Sequence, residues 1–390
     1  MLEHLGWREL LWRWGGEAIA HADSVGLEVT PEMRASGWIG APPAPAADIA
    51  AAQARLERSL PQSYRAFLEI TDGWPVLSFD FGRVRPVAEL NWVAAADPGL
   101  YEVVCADQGY EWPPDSDDGP PLMNRSLLLS SGTDSFLYDT GRFGADGEWA
   151  TTCWTGWNPG AGDQQPSFRA GLELHYASFV RFEAPDSVTH AEVAAQVESA
   201  YQRALRGDRS GEGVISGARD FGSARADALE PQLQVLTSQY RAATRVVTLA
   251  RSEQAADPAM LADLWPMLVV AAMDPRDRQQ WALDQAIRNA AGPVAELLGS
   301  LASQCQRDGG LVADFGYAPA FAAAMDSARE LARAGRDTEA FEAILSALPS
   351  WRPLSPLHMA PMGLTWDRDL GQIMTRGRRE QLLATARGCG

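Results

Sequence analysis

This 390-residue chain has no lysine: all 33 of its basic residues are arginine. The absence excludes every mechanism built on an amine side chain. There can be no Walker-A lysine, no kinase-type lysine, no Schiff base to pyridoxal or an aldol substrate, and no Ser–Lys pair. High-GC coding, visible in the Ala, Gly and Arg richness, accounts for the gap; avoidance of lysine-directed tagging is the other reading. Histidine is sparse too. His4, His21, His175, His190 and His358 form no pair at i, i+3 or i, i+4, so a zinc-binding helix of that type is missing. The cysteines, Cys105, Cys153, Cys305 and Cys389, have no Cys-x-x-Cys spacing and read as reduced thiols of a cytoplasmic protein. Cys153 has no obvious base near it in sequence. No Gly-x-Ser-x-Gly elbow occurs. Gly211, Gly213 and Gly217 are one residue too widely spaced for a dinucleotide fingerprint, and Glu212 would face the phosphates. No apolar run approaches the ~18 residues of a membrane span, and residues 1–8 lack the basic start and apolar core of a signal peptide. No cofactor and no metal are expected.

Positive charge is scarce in one half only. Residues 1–200 hold 29 Asp and Glu against 12 Arg, a net of −17, whereas residues 201–390 hold 22 against 21, a net of −1; together they make the −18 of the chain. A field of that sign repels nucleic acid and anionic membrane, and it steers cationic proteins inward. Solubility is the plainer reading of the same charge.

The length favours two domains. Residues 1–45 open with a Trp-rich amphipathic stretch (Trp7, Leu10, Leu11, Trp14) and end in a stiff Pro-rich link. Helical spacing follows over 49–58 and 61–71, then short strands at 76–81, 83–93, 101–105, 126–130, 135–139 and 148–154. Helical spacing returns over 167–182, with Phe168, Leu172 and Phe179 at buried positions and His175 within it. Thr189 and Glu192 stand in capping-box relation at the start of a helix to about 205. Residues 207–225 are rich in glycine and read as a linker. From 226 onward the pattern is helical: Leu229, Leu233, Leu236, Tyr240 and Val247 share a stripe, and further helices are expected at 258–273, 277–290, 293–307, 318–334 and 337–347. An irregular strap over 351–373 precedes a last helix near 377–387. Trp149, Trp154 and Trp157 form a cluster better suited to packing than to binding.

Residues 60–75 are the most informative stretch. Pro61 suits a first helical turn, Tyr64, Phe67, Leu68 and Thr71 form one buried stripe, Gly73 supplies a left-handed stop, and Pro75 prevents a restart. The run Leu-Pro-x-Ser-Tyr-Arg-x-Phe-Leu followed by Asp-Gly resembles the opening of SUKH domains, a superfamily that takes in a fungal cell-wall-synthesis regulator and many bacterial immunity proteins against secreted toxins. Asp72 stands where Asn is commoner before the glycine. The resemblance covers about residues 46–183 and implies an α+β fold: helices plus an antiparallel strand meander, here followed by an all-α C-terminal domain. The expected domains are 1–45, a helical extension and link; 46–206, SUKH-like; 207–225, a linker; and 226–390, helical. Leu60, Pro61, Tyr64, Phe67, Leu68 and Gly73 are read as holding the fold.

The family works by binding proteins, so the resemblance implies a non-enzymatic protein that occludes a basic toxin in the cytoplasm. A regulatory scaffold bridging cellular proteins is the alternative; an enzyme with its site in the helical half ranks last. The candidate partner site is the acidic loop Glu111, Trp112, Asp115, Asp117 and Asp118, where Trp112 would anchor and the carboxylates would meet arginine or lysine. A mobile, solvated loop is the competing reading. The loop lacks calcium-loop spacing. Neither nucleic acid nor membrane is an expected partner, and a homo-oligomer through the helical half is left open.

Overall fold

The computed structural model describes residues 5–78, 80–106, 113–156, 159–237, 245–273, 280–290 and 292–388. Helix α1 (Trp7–Ala20) turns Leu10, Leu11, Trp14 and Ala18 to one buried side. After α2 (Ala46–Leu56), helix α3 (Gln62–Leu68) follows Pro61 and buries Tyr64, Phe67 and Leu68 completely. Thr71 closes the exit by donating its hydroxyl to the Gly73 carbonyl at 2.6 Å. Gly73 sits at φ +97°, and a Cβ there would meet the Val84 carbonyl oxygen at 2.8 Å, so the turn requires glycine twice over.

The sheet is an antiparallel meander of β1 (Asn91–Trp92), β2 (Ser126–Ser131), β3 (Ser135–Phe143), β4 (Trp149–Thr155) and β5 (Gly160–Ala161), in that spatial order. Leu128 and Leu137 stand opposite each other, as do Phe136 and Cys153. Both faces are covered, which is why β2 is leucine after leucine instead of alternating. Leu128, Leu137 and Trp154 pack against Val104 of α4 (Pro98–Cys105) and Leu122 and Met123 of α5 (Gly119–Arg125). The opposite face carries Phe136 and Tyr138, which meet Phe168 of the closing helix α6 (Phe168–Phe182). The chain is α+β.

Three expected strands are corrected. Residues 101–105 are helical: Asp97 accepts from Leu100 N at 3.0 Å and Pro98 fills the first turn, a start signal that outweighs the β-preference of Val103 and Val104. The helix also supplies the cover that the sheet needs. In place of strands, the described residues of 76–81 turn tightly through Leu77 N to Gly82 O at 2.7 Å. Of 83–93 only Asn91–Trp92 join the sheet, because Pro86 removes a ladder donor and a helical turn, Val87–Glu89, follows it.

The Pro-rich link is pinned: Pro42 O accepts from Asp72 N and Ala44 N donates to Leu68 O, both at 2.8 Å. Trp14 of α1 lies 5.8, 5.2 and 6.0 Å from the rings of Trp74, Tyr176 and Phe179. Glu17, buried on the same helix, accepts from Tyr176 Oη at 2.6 Å and Thr189 N at 2.9 Å. Residues 1–191 with 220–222 make one compact unit, and residues 192–219 with 223–390 make a second.

Helix α7 (Val188–Leu205) starts under a different cap from the expected Thr189: Ser187 Oγ accepts from His190 N at 3.2 Å. The glycine-rich stretch after it is no free linker. Asp208 caps Ser210 N at 2.9 Å, and Glu212–Ala218 form α8. Gly211 packs so close to Ala200 that a Cβ would stand 2.8 Å from its methyl group. Proximity, more than flexibility, selects that glycine. Then come α9 (Ala224–Leu236), α10 (Trp265–Met273), α11 (Gln280–Asn289), α12 (Pro293–Asp308), α13 (Pro319–Arg333), α14 (Asp337–Ala347) and α15 (Arg376–Leu383). Tyr240 lies outside the described residues. The strap over 351–373 buries Trp351, Met359, Met362, Leu364 and Trp366. Helix α15 stops early because the fully buried Arg387 turns back onto it, donating Nη1 to Leu383 O at 3.0 Å and Nε to Met359 O at 2.8 Å.

Candidate functional site

Glu111 and Trp112 lie outside the described residues, as does Trp157; Asp115, Asp117 and Asp118 do not. Asp118 begins α5: its Oδ1 accepts from Gly119 N at 2.8 Å and from Ala161 N of β5 at 3.1 Å. Arg125, at the far end of that helix, forms a two-pronged pair with Asp139 of β3 at 2.7 and 2.9 Å. Asp139 is fully buried, and its hydrogen bonding raises the Arg125 pKa further, against the lowering effect of partial burial. The same guanidinium reaches Ser116 O at 2.8 Å and Asp117 Oδ1 at 3.3 Å. Arg142, beyond Asp139 on β3, donates to Asp117 Oδ1 at 2.6 Å and to Asp115 O at 2.9 Å.

Residues 115–118 are therefore laced to the sheet. Asp117 is shared between two arginines and Asp118 is a helix cap, whereas the exposed Asp115 carboxylate has no hydrogen-bond or ion-pair partner among the described residues. Asp118→Ala should cost about 1 kcal/mol in chemical denaturation, and Asp115→Arg should stay within about 0.5 kcal/mol of the parent. Equal losses would show that the two carboxylates do the same job.

The structure gives Cys153 the neighbour that sequence could not. His175 Nε2 of α6 lies 3.7 Å from Cys153 Sγ, with the imidazole set between Phe81 at 4.5 Å and Phe136 at 4.4 Å. Burial pushes the imidazole down to about 3 and the thiol up to about 12. The pair stays neutral and forms no thiolate–imidazolium. Cys105, Cys153 and Cys305 are all partly exposed, so the raised thiol pKa is what should make iodoacetamide alkylate Cys153 at least about tenfold more slowly than the other two at neutral pH. Fast labelling of Cys153 would reveal an ionised, accessible thiol.

In the helical unit, His358 Nε2 lies 2.9 Å from Asp263 Oδ2, and both side chains are buried. His358 Nδ1 accepts from Leu354 N at 3.3 Å, and Trp366 Nε1 donates to Asp263 Oδ1 at 3.1 Å. Both ring nitrogens are engaged in hydrogen bonds. The pair holds the strap in place.

Compared with protein-family models, curated proteins and solved structures, the chain has no match. Among the described residues, no group of three or more His, Cys, Asp or Glu is placed to hold a metal ion. No described helix is long and apolar enough to cross a membrane.

Proposed function

We propose that this chain is a non-enzymatic binding protein that neutralises a basic toxin by covering it in the cytoplasm, the role implied by its likeness to SUKH immunity domains. The observation that carries the reading is the ordered acidic edge at Asp115–Asp118, fastened by Arg125 and Arg142 to a sheet packed on both faces. A carboxylate on a fixed segment meets a cationic partner without first paying ordering entropy. Asp115, Asp117, Asp118 and Asp139 outnumber the two arginines, so the edge keeps negative charge after its internal pairing. The acidity of residues 1–200 extends the field around it.

The test is capture by full-length chain from lysate and secreted fractions of its source, at low and moderate salt. A single basic protein that stops growth when expressed alone, and that an equimolar amount of the chain silences, is the expected result. Asp115→Arg should slow its association roughly three- to tenfold at low ionic strength, with the difference fading in high salt. Several loosely held partners without toxicity would replace this reading with a scaffold.

A further inference from the structure

We propose that the helical unit carries a binding site for a small organic anion, a phosphate or carboxylate group on an apolar body, in a cleft between α7 and residues 353–356. The inference does not depend on the toxin reading, since it rests on other residues in the other unit. The cleft measures about 620 Å3, within the ~300–1,000 Å3 usual for ligand sites. Glu198 and Tyr201, at i and i+3, line it from one side of the helix, and Arg206 lines it from the first residue past the helix end. Pro353 and Pro356 face them.

The chemistry is set by two guanidinium groups. Arg225 lies over the Tyr201 ring, 4.4 Å from its centroid, while Tyr201 Oη donates to His358 O at 3.2 Å and fixes the ring. Arg225 Nε donates to Pro356 O at 3.0 Å and Nη1 pairs with Glu198, which leaves its Nη2 with no protein acceptor among the described residues. An arginine held on three sides with donors to spare is a ready anion receptor. The exposed Arg206 guanidinium makes no ion pair or hydrogen bond among the described residues. Its neighbour Asp208 accepts from Ser210 N and feels the charge of Arg206 and Arg203 without forming an ion pair with either, and it does not line the cleft.

The opposing charge is already used. Glu198 accepts from Gln202 Nε2 at 2.9 Å besides pairing with Arg225. The cleft thus sets two cations against one doubly engaged carboxylate, in a chain whose net charge is −18. An anion gains there and a cation does not. Tyr201, Pro353 and Pro356 offer apolar surface for the rest of the molecule.

Calorimetry on the full-length chain with phenyl phosphate, benzoate and neutral benzyl alcohol tests this. Saturable binding of either anion with Kd at or below a few millimolar is expected, on the order of what one anchored small ring supplies. The tighter anion tells whether phosphate or carboxylate is the natural group. Benzyl alcohol should bind at least about tenfold more weakly. Arg206→Gln should weaken anion binding about tenfold without moving the unfolding midpoint. Arg225→Gln should do so too, with its fold checked because Nε also holds Pro356. Absence of saturation by both anions, equal affinity for benzyl alcohol, or an unchanged affinity in Arg206→Gln would each overturn the proposal.

Discussion

Replacing Trp14 with alanine is expected to lower stability by about 3–5 kcal/mol, the largest loss from any single apolar truncation in the first unit. The side chain is fully buried and touches three aromatic rings from two places in the chain: Trp74 beyond the signature turn, and Tyr176 and Phe179 on α6. Trp7 adds a second anchor, 5.8 Å from Phe67 and 6.0 Å from Phe168, with the Arg169 guanidinium over its outer face. Trp38 closes on Trp74 at 5.5 Å. Residues 1–45 thus fill the aromatic core that the 46–183 segment shares, and a chain begun at residue 46 would expose Phe67, Trp74 and Phe168. Chemical denaturation measures the loss, and hydrogen exchange locates it in α3 and α6. A Trp14→Ala midpoint within about 0.5 kcal/mol of the parent would return the first 45 residues to the status of an appendage.

That role was half legible. The stripe Trp7, Leu10, Leu11, Trp14 announces a buried helix face but not what buries it, because its partners lie about 60 to 165 residues away and periodicity is local. The signature helix could be read almost completely, since Pro61, Gly73 and Pro75 fix both of its ends by backbone chemistry alone. The Tyr101–Cys105 stretch misled because Val103 and Val104 favour strands, and the stronger signal, Asp97 before Pro98, lies upstream of the segment it governs.

The candidate site divides the same way. Asp118 followed by Gly119 and Pro120 is a helix-start signal in plain view, and it explains why that carboxylate is a cap before it is anything else. His175 shares a helical face with Phe168, Leu172 and Phe179, so its burial could be read from spacing. Its meeting with Cys153 could not, because that needs the sheet register that sets Cys153 beside Phe136. Arg125 with Asp139, and Arg225 with Tyr201, are unions of separate elements. No local pattern encodes them.

Asp367→Ala should cost the second unit about 3–5 kcal/mol, for a reason a simple ion-pair count misses. The carboxylate is fully buried, and its Oδ2 accepts from Arg329 Nη2 at 2.8 Å, Arg329 Nε at 3.1 Å and Ala313 N at 2.9 Å. Its Oδ1 accepts from Asp369 N at 2.9 Å and Leu370 N at 3.0 Å. Removing it strands one guanidinium and three backbone amides together, most of them buried away from water. Arg329→Met removes only the cation, whose other links are to Ala313 O, Asp326 and the face of the Phe315 ring, and leaves the three amides bonded. It should therefore cost less than Asp367→Ala. The double variant should lose little beyond Asp367→Ala alone, since the arginine no longer has a buried anion to answer. Denaturation of the two single variants and the double variant reads this directly. If Arg329→Met proved the more damaging, the guanidinium and not the carboxylate would be the hub of this corner of the helical unit.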